Sequence, residues 1–174
     1  MTYRFIIFPS LFASIALFLS GCGGEKLPPG MPKLYPATVT VTQDGNPLAG
    51  AEVILINVEP SERNWSTGGT TDANGVIRLR TLGRYTGAPI GTYLVAVSKI
   101  EAPDINLPSE TPDDPEERRE HNRLVREIAE NTFYVVDPKF GLGRTELTVE
   151  VTPSNLSHTI DVSPAVRIRV PTGQ

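Results

Sequence analysis

Three turn signatures, each set between apolar strands, constrain this chain more than any other feature of it. They are Asp44-Gly45-Asn46-Pro47-Leu48-Ala49-Gly50-Ala51-Glu52-Val53, Thr71-Asp72-Ala73-Asn74-Gly75-Val76 and Pro89-Ile90-Gly91-Thr92-Tyr93. Gly45 and Gly75 supply the positive φ that a tight hairpin demands, and Asn and Asp tolerate it best among the other residues. The flanks alternate as half-buried strands do. Ile77 and Leu79 face one way with Arg78 and Arg80 the other, and Tyr93, Val95 and Val97 share a face. Gly45, Pro47, Gly50, Asp72, Asn74, Gly75, Gly91 and Tyr93 are therefore read as structural turn residues, and the fold class as an all-β antiparallel sandwich.

The string D-G-x-P-L-A-G-A-x-V, then T-D-x-x-G-x-x-x-L, then P-x-G-T-Y-x-V-x-V resembles the carboxypeptidase regulatory-like domain over roughly residues 37–100. That resemblance implies a transthyretin-like, Ig-like sandwich of about seven strands. It also implies an accessory module rather than a peptidase, because a fold does not carry a function with it.

Residues 1–21 read as an export signal. Arg4 is the positive start, Phe5 to Leu19 is mostly apolar, and Leu19-Ser20-Gly21-Cys22 closes the run. The ending resembles the bacterial lipobox, which implies diacylglycerol on the Cys22 thiol, cleavage before it, and membrane attachment through the lipid. The alternative is an uncleaved anchor, for which Phe5 to Leu19 is short of the ~20 residues a span needs and carries Pro9. Gly23, in place of an acid after the cysteine, resembles lipoproteins that leave the inner membrane. The expected location is the cell envelope, at the outer membrane or cell surface.

Cys22 is the only cysteine, so the exported domain forms no disulfide and has no thiol chemistry left. Loss of Arg4 with the signal turns a formal charge of −4 into −5, which speaks against a nucleic-acid partner. About 150 residues remain, enough for one domain with a core. Residues 22–36 hold four prolines and read as a tether that spans roughly 40 Å at ~3.1 Å per residue. Packing of Leu27, Met31 and Leu34 on the sandwich as an ordered arm is the other reading.

The domain proper is assigned to 37–171, with an insertion at 101–132. Residues 37–43 and 51–57 are strands, and the second is apolar on both faces, as a central strand is. Loops at 59–69 and 81–88 carry Trp65, Arg84 and Tyr85, which form the candidate contact surface for an envelope protein or a polysaccharide. The alternative for Trp65 is a cap over a sheet edge. Residues 101–115 contain four prolines and five acids and no apolar run, hence a loop. Asp114-Pro115-Glu116-Glu117 then opens a helix over about 115–130, whose apolar residues Leu124, Val125, Ile128 and Ala129 form a short stripe. It reads as an insertion laid on the sandwich, or as a basic membrane-surface helix if the interleaved glutamates are discounted. Residues 133–136 and 146–152 are further strands, 159–163 closes a hairpin with the latter, and 166–170 adds an edge strand. Pro138-Lys139-Phe140 with Leu147-Thr148-Val149-Glu150-Val151 resembles the closing hairpin of planctomycete-type lipoproteins, in which the connection before it is shorter.

Catalytic readings fail one by one. His121 and His158 have neither H-E-x-x-H nor H-x-H spacing, and Asp72-Ala73-Asn74-Gly75 lacks the first and last acids of a calcium loop. The adjacent acids at 113–114 and 116–117 sit at a helix start and cannot straddle a glycosidic bond. There is no G-x-S-x-G, no phosphate loop, no Tyr-Arg-Gly-Ser ending like that of the transthyretin-like hydrolases, and no lysine in the first strand for an isopeptide bond. The expectation is no catalytic residue, metal or cofactor. Two roles stay open, a surface binder with exposed aromatics or a structural subunit of a larger envelope complex; an enzyme of unknown type ranks third.

Overall fold

A computed structural model describes residues 26–59, 65–108 and 110–171. Cys22, the expected signal segment at 1–21 and the start of the expected tether lie outside the described residues. In chain order the strands are β1 (Thr38–Gln43), β2 (Asn46–Pro47), β3 (Glu52–Asn57), β4 (Thr67–Thr70), β5 (Val76–Arg78), β6 (Arg80–Thr81), β7 (Tyr85–Thr86), β8 (Gly91–Ser98), β9 (Ile100–Glu101), β10 (Phe133–Tyr134), β11 (Thr148–Val151), β12 (Ser157–Asp161) and β13 (Ile168–Arg169). One helix, α1 (Pro115–Glu130), lies between β9 and β10.

The described residues form an all-β sandwich with one α-helix. One sheet runs β11-β8-β3-β4-β6-β7; the other has β1 between β12 on one edge and β5 and β2 in succession on the other. Their inner faces share one core, with Val39, Val41, Val53, Leu79, Val95, Val97, Val151 and Val162 sealed from solvent. Burial of each such side chain is worth about 1.5–3 kcal/mol over leaving it exposed. The chain changes sheets at Leu79, where β5 pairs with β1 and β6, two residues on, pairs with β4.

The turn signatures interlock. Asp44 and Gly45 both have positive φ (50° and 75°) and join Gln43 to its partner Asn46 in the two-residue loop that matches strand twist. Pro47 pairs with Thr42, at the far side of that turn. In the second signature Asp72 Oδ1 accepts from the amides of Asn74 (2.8 Å) and Val76 (2.9 Å), and Gly75 takes φ 71°. This turn is laid directly on the first. Val41 donates to Gly75 O (2.8 Å), Thr71 Oγ1 donates to Leu48 O (2.6 Å) and accepts from Ala51 N (2.9 Å), and Gly50 N donates to Thr71 O (3.0 Å). In the third signature the Tyr93 hydroxyl donates back to Pro89 O (2.9 Å), a corner that fixes the chain as it enters β8. Burial pushes the Tyr93 phenol up, which keeps it protonated as a donor. Gly91, at φ 153°, lies under that ring.

Two features differ from the sequence reading. The segment after Pro153-Ser154-Asn155 forms no hairpin with β11. The arch at Thr152–Asn155 carries the chain into the opposite sheet, where β12 pairs with β1 in parallel, Val41 opposite Ile160. The inward alternation of Ile160 and Val162 holds in either arrangement, so periodicity could not separate them. The free edge of β1 decides, because β12 covers it while sending its apolar residues toward β11 across the core. The second difference concerns 166–170, which adds β13 to neither main sheet. It pairs with β10, which pairs with β9, so that the stem of the insertion and the C-terminal segment make a small third sheet.

Helix α1 starts as expected. Asp114 Oδ1 accepts from Glu116 N (2.8 Å) and Glu117 N (3.1 Å), and Pro115 opens the first turn. No residue of the helix is fully buried; His121, Leu124, Ile128 and Ala129 are half-buried and Val125 is exposed. Arg123 pairs with Glu120 and Glu127 on the outer face and holds the Glu120 carboxyl below its ordinary range.

Replacement of 103–131 by a short glycine-serine linker is expected to leave a cooperative melt, because the stem strands remain and loop length alters closure entropy only slowly. A non-cooperative melt of that deletion would show the insertion to be part of the core. A second expectation separates two glycines of like φ. A Cβ on Gly75 would lie 2.6 Å from Val41 O and 2.9 Å from Leu48 N, whereas one on Gly45 meets nothing within 4 Å. Gly45→Ala should cost about 1 kcal/mol from backbone alone, and Gly75→Ala about 3 kcal/mol or more, since strain and a backbone collision combine. Equal losses in urea melts would contradict the interlock.

Candidate functional site

The sandwich has two ends. Just before β1 and β8 begin, Tyr35 pairs with Ala88, its amide donating to Ala88 O (2.8 Å) and its carbonyl accepting from Ala88 N (2.9 Å). Where β1 ends, Gln43 Nε2 donates to Val135 O (2.9 Å), beside the insertion stem that continues from β8. Both strands therefore run from an entry end, where the chain joins the sandwich at Tyr35, to a far end, separated by roughly 25 Å for an eight-residue strand.

Trp65, Arg84 and Tyr85 all lie at the entry end. Trp65 is half-buried, and its carbonyl lies 3.1 Å from Thr67 Oγ1 at the start of β4. The Thr67 and Thr81 hydroxyls meet at 3.1 Å and Thr81 Oγ1 donates to Gly87 O (2.8 Å), a buried polar chain that ties β4 to the β6–β7 turn. Tyr85 stands opposite Thr81 and so projects from the face of the sheet on which Thr81 is buried. The Arg84 guanidinium lies 5.4 Å from the Tyr85 ring centroid. Gly87 packs on the Tyr35 backbone, where a Cβ would come 2.5 Å from Tyr35 O. The aromatic loops thus flank the segment by which the chain enters the domain.

The far end holds a feature that the sequence reading did not single out. An open cleft of about 360 Å³ lies between the end of β8, the insertion stem and the loop after the 3₁₀ turn at Pro138–Phe140. Ile100, Tyr134, Val136 and Leu142 wall it, and Ser98 and Arg144 supply its polar groups. Ile100 stands opposite Tyr134, and Tyr134 opposite Ile168, so these three form an apolar row on one face of the third sheet. The row and its neighbour are open to solvent, with Ile100 at 50%, Ile168 at 43% and Leu142 at 67% exposure. The third sheet also explains why the cleft was missed. Its walls come from 97–100, 134–144 and, along the row, 168, and no local pattern announces that these segments meet. The one available signal was the alternation of apolar and basic residues in Val166-Arg167-Ile168-Arg169-Val170.

Charge around this end is uneven. Lys99 pairs with Glu101 (3.5 Å) and Lys139 with Asp137 (3.8 Å), while Arg167 stacks 4.0 Å from the Phe133 ring centroid. Arg144 is exposed and has no carboxylate partner among the described residues.

The two histidines lie on α1 and β12. His158 faces inward from β12 opposite Val39, with Nε2 closed off from solvent and no hydrogen-bond partner among the described residues. Loss of solvent lowers its pKa. Among the described residues no three of His, Cys, Asp and Glu gather where they could hold a metal ion.

No family model, curated protein or solved structure matches the chain.

The His158 environment sets a pH dependence. Above the ordinary imidazole range both folded and unfolded forms are neutral and the residue is indifferent to pH. As pH falls below about 6.5 the unfolded chain binds the proton first, so stability is lost until the lowered folded pKa is reached. The wild type should therefore lose more stability between pH 7.5 and 5 than His158→Leu does, as measured by thermal melts of both. Parallel pH profiles would contradict the desolvated imidazole.

Proposed function

We propose that this chain is a lipid-anchored module of the cell envelope, held by Cys22 through the segment that enters at Tyr35, and that its sandwich presents the far end to a partner without performing catalysis. The observation that carries the reading is the polarity of the domain. The entry segment and the aromatic loops share one end, and an open apolar cleft occupies the other. A module that binds at a distance from its attachment needs this arrangement, since the surface next to the anchor is the one a membrane occludes. The lipobox-like ending at Cys22 and the proline-rich stretch after it support the anchor. Exposed apolar residues in a contiguous group support a recognition role for the far end, because soluble surfaces rarely leave such groups open.

A subunit of a larger envelope complex would use the same surface, so the anchor is the part to test first. Cys22→Ser is expected to leave uncleaved precursor or soluble protein. Recovery of the variant in the membrane fraction with the mature mass of the wild type would overturn the reading.

A further inference from the structure

We infer that the far-end cleft takes an extended acidic segment of a partner protein, with an apolar side chain in the cleft and a carboxylate on Arg144. This rests on the reading of the far end as the presented surface, and it specifies the chemistry of what is bound there.

Charge complementarity carries the argument. The chain as a whole is acidic, at −4, and the insertion that emerges beside the cleft is acid-rich, so a cation here would be expected to find an internal partner. The nearby lysines have done so: Lys99 with Glu101 and Lys139 with Asp137. Arg144 has none among the described residues, although it lines the cleft itself. A guanidinium left open beside an apolar wall is suited to a carboxylate that arrives on an apolar chain, and its planar fork binds carboxylate in two-point fashion. The wall offers the matching half of the contact. Leu142, Ile100 and Tyr134 enclose a volume at the small end of ligand pockets, which run about 300–1,000 Å³.

The shape selects an extended polypeptide. The cleft is open rather than closed around an acyl chain, and Ile100 and Tyr134, which line it, continue into the row on the face of the third sheet. A chain laid along the row Ile100–Tyr134–Ile168 crosses the face of the three strands and meets their apolar side chains in turn, about 4.8 Å apart. A sugar finds less here, since Tyr134 is the one aromatic ring in the lining and Ser98 adds a single aliphatic hydroxyl.

The test uses the full chain in detergent micelles and two fluorescein-labelled peptides with capped ends. One has the sequence Asp-Leu-Glu-Phe-Asp, and the other is its Asn/Gln counterpart. Fluorescence anisotropy should show saturable binding of the acidic peptide only, weakened by added salt and by about tenfold in Arg144→Glu. Leu142→Asp should abolish it. Both substitutions change exposed side chains, and unchanged melts would confirm that the domain remains folded. Equal binding of the two peptides, indifference to Arg144→Glu, or no saturable binding would overturn the inference. Concentration-dependent self-association that Arg144→Glu weakens would also overturn it, by giving the cleft to a second copy. The result is separable from the anchor: an anchored protein that ignores the acidic peptide refutes this partner alone, and a peptide-binding protein whose location ignores Cys22 refutes the anchor alone.

Discussion

The Thr71 hydroxyl holds the two halves of the sandwich in register. It donates to Leu48 O and accepts from Ala51 N, within a cluster in which Val41 N bonds Gly75 O and Leu48 N bonds Val41 O. These are buried backbone groups in a corner where no regular ladder reaches, and each would cost about 1–3 kcal/mol if left unpaired. One side chain therefore satisfies the departure of β2 from one sheet and the entry of β3 into the other. Gly75 must approach within a distance that admits no Cβ, so its place in the signature is fixed by contact as well as by φ. Everything at the far end follows from this corner, because it sets where β1 stops and where Gln43 can reach Val135.

How much of the molecule was legible in the sequence depended on the range of the interaction. Turns governed by local φ and by side chains that bond two or three residues away were readable: Asp44-Gly45, Asp72 with Gly75, and Asp114 ahead of α1. The strands could be placed because Val39 and Val41, or Val149 and Val151, alternate with polar residues. Pairing was not readable. Ser157–Asp161 has the same alternation whether it folds back on β11 or crosses to β1, and only the vacancy beside β1, some 120 residues away in sequence, distinguishes the two.

The candidate site shows the same limit more sharply. Trp65, Arg84 and Tyr85 drew notice as aromatic and basic residues in loops. The structure sets them beside the entry of the chain, with Trp65 and Tyr85 half-buried next to the buried Thr67–Thr81 contact. Ile100, Tyr134 and Ile168 looked unremarkable one at a time, since single exposed apolar residues are common on any surface. Their significance comes from being side by side, which requires the C-terminal segment to find the insertion stem. The sequence could suggest an edge strand at 166–170 but not whose edge it would extend.

Joining the C-terminal segment to the insertion stem has a cost and a consequence. Each strand of the third sheet is two residues long, and two-stranded pieces of that size are not stable alone in water. They persist here because β9 continues β8, Gln43 bonds Val135 O, and Arg167 covers the Phe133 ring on the face opposite the apolar row. That arrangement places the arginines of 167 and 169 on one side and Ile168 on the other. Had the register slipped by one residue, the arginines would face the cleft and Ile168 would cover Phe133. The observed register keeps the cleft apolar and leaves Arg144 as the single cation in its lining.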